Sequence, residues 1–167
     1  MSPVCGSIVA RASDVVIRQP TAADRSAIEA MFARCSVESR YARFLAPVPE
    51  IPPAHLARIV TPSPDDEAWI GVARHDPDTV VALASWARRG EGAEVALLVE
   101  DSWQRRGIGS TLLRILGDRT ANAGVCRLTA SVLRESKHVL QMLRAVLGPT
   151  CIRSDGYVSE VTIDRCA

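Results

Sequence analysis

The sequence predicts one α/β domain with a mixed, mostly antiparallel sheet of about six or seven strands, flanked by about four helices. Three apolar segments in close succession, joined by short polar turns, are typical of an antiparallel meander. The third of these segments leads through a glycine-rich turn into an amphipathic helix, over residues 93–116, and a strand–helix–strand–strand succession closes the chain. Helices are thus interspersed among sheet-forming segments, as in layered α/β proteins. The length of 167 residues fits a single domain.

Composition indicates a soluble globular protein and argues against several classes of function. The chain is 47% hydrophobic and 23% charged, and its net charge of +1 provides no basic surface for nucleic acid or anionic membranes. Aromatic residues make up only 4%, which leaves few platforms for stacking bases. Five cysteines without a CxxC pair predict reduced thiols rather than a disulfide framework, and three scattered histidines predict no metal site.

The first half of the chain is predicted to contain one strand and the first helices. Residues 1–13 lack the basic and apolar regions of a signal peptide, so we expect a flexible N-terminal arm in a cytoplasmic protein, followed by a domain over residues 14–167. Pro20 ends a short strand at 15–18, and Thr21 starts a helix with Asp24 in the manner of a capping box. A second helix, a proline-rich loop and one or two further helical turns follow, at residues 37–45, 46–53 and 54–60.

The second half alternates strands and helices. The meander occupies three strands, at residues 68–74, 79–87 and 94–99. After the helix at 107–121, a strand at 127–133 is expected to run parallel to the strand at 94–99, because a helical crossover returns the chain in the same direction. The last elements are a helix and two strands, at residues 136–147, 151–153 and 157–163.

The turn before the central helix is predicted to bind phosphate. A helix that opens on glycines presents several unpaired backbone N–H groups and the positive end of its dipole. Such a helix end binds phosphate groups without a special side chain. Arg105 and Arg106 add positive charge beside Gly107 and Gly109. We therefore expect a phosphate-bearing ligand at residues 104–111.

Three phosphate-binding motifs can be compared with this turn. The ATP-binding pattern GxxxxGK[ST] is absent. The dinucleotide pattern GxGxxG is met only in part, because Leu112 stands where the third glycine belongs and no acidic residue ends the next strand. The pattern Q/R-x-x-G-x-G/A fits residues 104–109, QRRGIG, without a mismatch.

With this motif the sequence resembles the GNAT acyltransferase superfamily, whose cofactor is acetyl-CoA. The segment VEDSWQRRGIGSTLL is similar to the family signature V-x-P-x-[YW]-[QR]-G-x-G-[IV]-G, although Arg105 takes the place of a frequent glycine. The segments AEVA at 93–96 and SRYARF at 39–44 resemble the bacterial protein-lysine acetyltransferase branch. The resemblance covers residues 14–164 and implies a sheet splayed between its fourth and fifth strands.

The resemblance implies a site for acetyl-CoA. The pyrophosphate would lie on the N–H groups of residues 105–110, and the pantetheine arm would pair with the strand just before the motif, where the sheet splays. Ser136 stands where many family members have a cofactor-binding Asn. The expected cofactor-binding residues are Leu97, Leu98, Val99, Gln104, Arg105, Arg106, Gly107, Ile108, Gly109, Ser110 and Ser136.

Glu94 is the candidate general base. It is an acidic residue in an otherwise apolar strand, on the same face as Ala96 and Leu98 by the two-residue period. In the branch that the sequence resembles, the Glu of the A-E-V-A segment removes the amine proton, whereas by position alone Glu94 could equally be an edge charge at a strand start. The oxyanion is expected to bind the N–H of Leu98 or Val99.

Other roles stay open at the level of sequence. The helix at 136–147 has no Tyr, which in many family members protonates the leaving thiolate, so water, Ser136 or Tyr157 would do so here. Tyr41 and Arg43 either line the acceptor cleft or lie on a helix surface. The expected activity is acetyl transfer to a primary amine, with protein lysine ahead of a small molecule, no nucleic-acid or membrane partner, and no metal. A non-catalytic acyl-CoA-binding module is the alternative.

Overall fold

A computed structural model describes residues 10–12, 14–61 and 63–165. Within these residues the chain forms an eight-stranded sheet of order β1-β2-β3-β4-β5-β6-β8-β7, and every neighbouring pair is antiparallel except β5 and β6. The strands are β1 (Ala10–Ala12), β2 (Val15–Arg18), β3 (Asp66–Ala73), β4 (Val80–Arg89), β5 (Gly92–Val99), β6 (Arg127–Leu133), β7 (Cys151–Asp155) and β8 (Val158–Asp164).

Five α-helices lie in the described part of the chain, one more than the four expected. They are α1 (Arg25–Arg34), α2 (Val37–Phe44), α3 (Pro53–Ile59), α4 (Ile108–Asn122) and α5 (Lys137–Leu147). The turn that the sequence assigns to a capping box at Thr21 is a short 3-10 helix, in which Thr21 N donates to the Asp24 carboxylate at 2.7 Å. No helix in the described residues is long and apolar enough to cross a membrane.

The helices cover the two faces of the sheet, and each face has its own core. On one face, α4 and α5 pack Leu112, Leu116 and Leu143 against the sheet. On the other, α1 and α3 pack residues such as Ile28 and Leu56. Burial of these apolar side chains supplies the main free energy that holds the helices to the sheet. The arrangement confirms the predicted mixed α/β fold class.

The sheet splays in its middle. β5 and β6 are parallel, as predicted, but share only two residue pairs, Ala93 with Leu128 and Glu94 with Thr129. Beyond Glu94 the two strands diverge, so the rest of β5 has a strand neighbour on its β4 side alone within the described residues. A V-shaped opening therefore lies between the last residues of β5 and those of β6.

Two expectations about the chain differ from the structure. Ala10–Ala12 lie within the arm expected at residues 1–13, yet they form β1 against β2, which makes eight strands instead of six or seven. Residues 1–9 and 13 lie outside the described residues. Reduced thiols are observed at Cys35 and Cys151, whereas Cys126 is disulfide-bonded, which the wide cysteine spacing did not indicate.

Candidate active site

The glycine-rich turn leads directly into α4. Gly107 precedes the helix with φ of 78°, a left-handed conformation that glycine adopts without strain. The first α-helical hydrogen bond at this end is donated by Thr111 N to Gly107 O at 3.1 Å. The N–H groups of Ile108, Gly109 and Ser110 therefore have no carbonyl acceptor within the helix, and they can bind an anion. The Ile108 side chain itself is buried in the core, so only its backbone is available.

Gly109 places the first turn of α4 close to two neighbours. A Cβ at this position would lie 3.2 Å from Leu97 Cδ2 and 3.3 Å from Met142 Sδ. A side chain here would make the ends of the Leu97 and Met142 side chains shift by a few tenths of an ångström. The start of α4 therefore packs closely against β5 and α5.

Two arginines precede the helix. Arg105 has φ of 60°, an uncommon conformation for a residue with a Cβ and one that glycine adopts without strain. Arg106 lies with its Cζ 4.9 Å from the centre of the Trp103 ring. Both side chains are exposed, and neither forms an ion pair with a residue that the structure describes.

The backbone of β5 alternates between β4 and the opening. Glu100 N donates to Val81 O at 2.9 Å, and the antiparallel register with β4 is unbroken over the whole of β5. By this alternation the backbone groups of Leu98 point to β4, whereas those of Leu97 and Val99 point into the opening. Val99, and not Leu98, therefore presents its N–H at the open edge.

Gln104 closes one end of this edge. Its Nε2 donates to Val99 O at 3.0 Å and to Ser39 Oγ at 3.2 Å. The amide thus links the glycine-rich turn to the end of β5 and to α2. Its side chain has protein partners, so its contribution to the site includes holding these three segments together.

Glu94 lies where β5 and β6 part. Side chains alternate between the two faces of β5. Leu98 lies in the α1–α3 core, whereas Ala93 and Val95 lie in the opposite core, so Glu94 is on the α1–α3 face. The Glu94 side chain is 46% exposed, and Arg89 Nε lies 3.7 Å from Oε2, a loose ion pair of small energetic value. The carboxylate is thus accessible from the α1–α3 side of the opening.

Arg43 and His55 form a polar pair near Glu94. Arg43 Nη2 lies 3.0 Å from His55 Nε2, and since a guanidinium can only donate, Nε2 is the acceptor and carries no proton. Burial, together with the charges of Arg43 and Arg58, lowers the pKa of His55 to about 4. Burial also lowers the pKa of Arg43 to about 10, an effect that the Glu94 carboxylate partly offsets. At neutral pH a cationic Arg43 therefore acts on Glu94 beside a neutral imidazole.

The turn after β5 is tied to α2. Asp101 accepts hydrogen bonds from Ser36 N at 2.8 Å, Ser36 Oγ at 2.7 Å and Ser39 Oγ at 2.8 Å. Burial alone would raise the pKa of Asp101, but these hydrogen bonds hold it below its usual value. Glu100 is buried and accepts from Arg34 Nε at 3.0 Å. Both acidic residues of the turn thus have structural partners.

A cavity of about 570 Å³ adjoins the opening on its α2 side. Val37, Glu38 and Tyr41 of α2 form one wall, and residues 133–135 with Tyr157 form the other. A hydrogen bond with Tyr157 raises the pKa of Tyr41, so the two phenols meet across the cavity. Tyr41 therefore lines this cavity.

Ser136 lies at the edge of the same region. It is the N-cap residue of α5, it is half-buried, and its hydroxyl caps no backbone N–H of the helix. Its own N–H donates to Leu133 O at 2.9 Å. Ser136 therefore stands at the N-terminus of α5, beside the cavity wall formed by residues 133–135.

A second cavity, of about 470 Å³, was not anticipated from the sequence. Its lining residues come from the start of β2, the end of β3 and the glycine-rich turn, and no motif spacing connects these segments. They are Asp14, Arg74, His75, Trp103 and Arg106.

Solved structures with similar folds include several acetyltransferases. The GNAT domain of S. lividans PAT is 23% identical over 90% of each chain, with a TM-score of 0.80. PaiA N-acetyltransferase from Thermoplasma acidophilum, solved with coenzyme A, is 15% identical over 91% of this chain and 99% of its own, with a TM-score of 0.69. YncA, a putative acetyltransferase from Salmonella typhimurium solved with acetyl-CoA, is 14% identical over 93% and 96%, with a TM-score of 0.70.

Sequence comparison supplies the family. No curated protein sequence matches the chain. The family model described as acetyltransferase (GNAT) family matches residues 28–148, which is well over half of the sequence. That span contains the splayed strands, the glycine-rich turn and α4. The chain therefore belongs to the GNAT family of acetyltransferases.

Proposed function

We propose that the protein transfers an acetyl group from acetyl-CoA directly to a primary amine, with Glu94 as the general base. One observation carries the proposal: the free N–H groups at the start of α4, the open edge of β5 and the Glu94 carboxylate follow one another along one opening of the sheet. This order matches a donor with an anionic end, an amide-bearing arm and a reactive end.

The residues present fit the cofactor. The N–H groups of residues 108–110 and the charges of Arg105 and Arg106 would hold the pyrophosphate. The backbone groups of Leu97 and Val99, which point into the opening, would pair with the amides of the pantetheine arm. The similar folds of Thermoplasma and Salmonella acetyltransferases that were solved with coenzyme A or acetyl-CoA support this assignment.

The chain's own groups supply the chemistry around the transferred acetyl group. Acetyl-CoA supplies an acetyl thioester, and the amine nitrogen replaces the sulfur on the acetyl carbon. An N–H of the open edge of β5, at Leu97 or Val99, would stabilise negative charge on the acetyl oxygen. Glu94 would take the proton that the amine loses, through direct contact or one water molecule. Water, Ser136 or Tyr157 would return a proton to the thiolate.

The cavity beside α2 is the proposed acceptor site. It opens to solvent between two surface elements, and its wall carries the carboxylates of Glu38 and Glu135 against the one guanidinium of Arg134. This excess of negative charge would attract a cationic amine-bearing chain. Tyr41 and Tyr157 offer ring faces to the aliphatic part of such a chain. An open, acidic and aromatic cavity suits a lysine side chain on a protein better than a small amine that must be enclosed.

Replacement of Glu94 by Gln tests the base. The variant keeps the shape of the side chain but cannot accept a proton, so kcat/KM for an amine acceptor should fall by about 10²–10⁴-fold. The acidic limb of the pH–rate profile should also change. Glu91→Gln is the matched control, because Glu91 is an exposed glutamate in the turn just before β5. The measurement is thiol release across lysine peptides and small amines.

The non-catalytic module remains the competing function, because α5 carries no Tyr to protonate the thiolate. Tight binding of acetyl-CoA without turnover of any amine or peptide in this screen would favour the module. Turnover that Glu94→Gln and Glu91→Gln leave equally unchanged, in rate and in pH profile, would show that Glu94 is not the base.

A further inference from the structure

The second cavity lies beside the glycine-rich turn, on the side away from β6. Asp14 precedes β2, and Arg74 and His75 follow β3, two strands that lie across β4 from β5 in the sheet. Gly109, by contrast, faces Met142 of α5 on the other side of the turn. The cavity and the splayed opening therefore flank the same turn from opposite directions.

The cavity carries an excess of positive charge. Arg74 and Arg106 line it, and neither guanidinium forms an ion pair with a residue in the described part of the chain. Asp14 supplies one carboxylate to the lining, and its carbonyl oxygen accepts from Arg74 N at 2.9 Å, which fixes the start of the Arg74 side chain. Two unpaired guanidinium groups on one cavity are suited to bind a phosphate through charge-assisted hydrogen bonds.

The cavity also carries flat aromatic surface. The rings of His75 and Trp103 are nearly parallel, with 13° between their planes and 6.3 Å between their centres. Arg106 lies over the Trp103 ring. Indole, imidazole and guanidinium planes are the groups on which nucleobases stack. In a chain with 4% aromatic residues, this grouping beside two arginines without an ion pair in the described residues is an unusual concentration.

We propose that this cavity is a binding site for a phosphorylated nucleoside, with the phosphate on Arg74 and Arg106 and the base against His75 and Trp103. Two sources carry this chemistry: the adenosine 3′-phosphate end of a CoA molecule whose pyrophosphate lies on the glycine-rich turn, and a separate nucleotide. Only the first source rests on the proposed function.

Tryptophan emission provides a readout that needs no acetyl transfer. Trp69 and Trp86 are each 1% exposed in the core, so a ligand in the cavity would act on Trp103. Adenosine 3′,5′-bisphosphate should quench emission of the wild-type protein, and Trp103→Phe should abolish that response. Arg74→Gln should weaken binding about tenfold or more, because a charge-assisted hydrogen bond is lost. Arg153→Gln, an exposed position on the distant edge strand β7, is the matched control and should bind as wild type.

Calorimetry with CoA and 3′-dephospho-CoA separates the two sources. If the wild type prefers CoA and Arg74→Gln loses that preference, the cavity holds the end of the same CoA molecule. If adenosine 3′,5′-bisphosphate binds equally well to CoA-saturated protein and still requires Arg74, the cavity holds a separate nucleotide.

The proposal is overturned if the bisphosphate causes no Trp103 response, or if Arg74→Gln and Arg153→Gln change its affinity equally. Failed acetyl transfer with an intact Trp103 response would overturn the proposed function alone.

Discussion

At the scale of single residues, the surroundings of Glu94 are set by a cation that is itself held by a neutral histidine. The Arg43 guanidinium donates to His55 Nε2, which leaves its charge uncompensated by that partner. Arg43 also lies over the Phe44 ring at 4.7 Å, a contact that favours the charged form. Arg43 thus keeps its charge and its position on this side of the opening.

His55 should make the stability of the protein depend on pH in a narrow window. Its pKa is about 4 in the folded state and about 6.5 in an unfolded chain. Between these pH values the unfolded state therefore binds a proton that the folded state does not bind. This contribution is fully present above pH 6.5 and is lost as pH falls towards 4. For a partly exposed ring we expect a loss of about 1–2 kcal/mol.

Urea unfolding at pH values between 4 and 7 measures this contribution. His55→Gln keeps an acceptor for Arg43 but does not titrate, so its stability should fall less than that of the wild type over this window. His138→Gln, at an exposed position on α5, is the control and should follow the wild type. Parallel curves for wild type and His55→Gln would show that His55 has the same pKa in both states.

Sequence reasoning succeeded at this scale where the signal is local. The two-residue period assigns Glu94 to the face shared with Leu98, and the structure has Leu98 in the α1–α3 core. The pairing of Arg43 with His55 could not be predicted, because a proline-rich loop lies between their helices and its path decides which side chains meet. The cavity at Arg74 and Trp103 has the same origin, since its residues are brought together only by the order of strands.

At the scale of elements, α2 is held against the end of β5 by polar contacts. None of its residues is fully buried, and Phe44, near its C-terminal end, packs against the α1–α3 core, so polar contacts hold the rest of the helix. Ser36 caps the helix by accepting from Ser39 N, and Asp101 accepts from both serines. Gln104 adds a third link through Ser39. The α2 wall of the proposed acceptor cavity is therefore positioned by the turn that follows β5.

Removal of the Asp101 carboxylate should loosen α2 without unfolding the domain. Asp101→Ala should cost about 1 kcal/mol, because three hydrogen bonds to an exposed carboxylate are lost while the Ser36 cap remains. For a chain of this size that corresponds to a fall in Tm of about 2–4 °C. Amide exchange of residues 37–44 should accelerate, while exchange in α5 stays as in the wild type.

Asp118→Ala is the matched control for this variant, because Asp118 is an exposed aspartate on α4. It should change neither Tm nor exchange in α2. Equal exchange of residues 37–44 in the two variants would show that Asp101 does not hold the helix.

Element boundaries show what a sequence can and cannot supply. The strand predicted at 127–133 is observed at those residues, and the meander strands differ by two residues or fewer at each end. These elements have alternating or continuous apolar residues between turn signals, so the local pattern suffices. The strand β1 was missed because three residues carry too short a pattern, and its existence depends on pairing with β2.

At the scale of the whole molecule, the sheet consists of two parts joined by little strand pairing. One part is β1–β5 and the other is β6–β8. They are joined by two residue pairs at the start of β5 and by the packing of α4 against α5 in a shared core. Such a division was available to sequence reasoning only through family resemblance, because divergence of two strands leaves no local pattern. It makes the opening a place where a ligand contacts both parts of the fold at once.

Acetyl-CoA should therefore stabilise the whole molecule against heat. A ligand that binds only the folded state adds about 2.7 kcal/mol at a concentration of 100 times its Kd. With about 2–4 °C per kcal/mol for a domain of this length, Tm should rise by about 5–10 °C and continue to rise with the logarithm of ligand concentration.

Differential scanning calorimetry measures this shift, with NADH as the control that shares an adenosine pyrophosphate but lacks the pantetheine arm. NADH could use the glycine-rich turn but not the open edge of β5, so at the same concentration it should raise Tm by clearly less than acetyl-CoA does. A shift with NADH equal to that with acetyl-CoA would assign the site to nucleotides in general and contradict the role proposed for Leu97 and Val99.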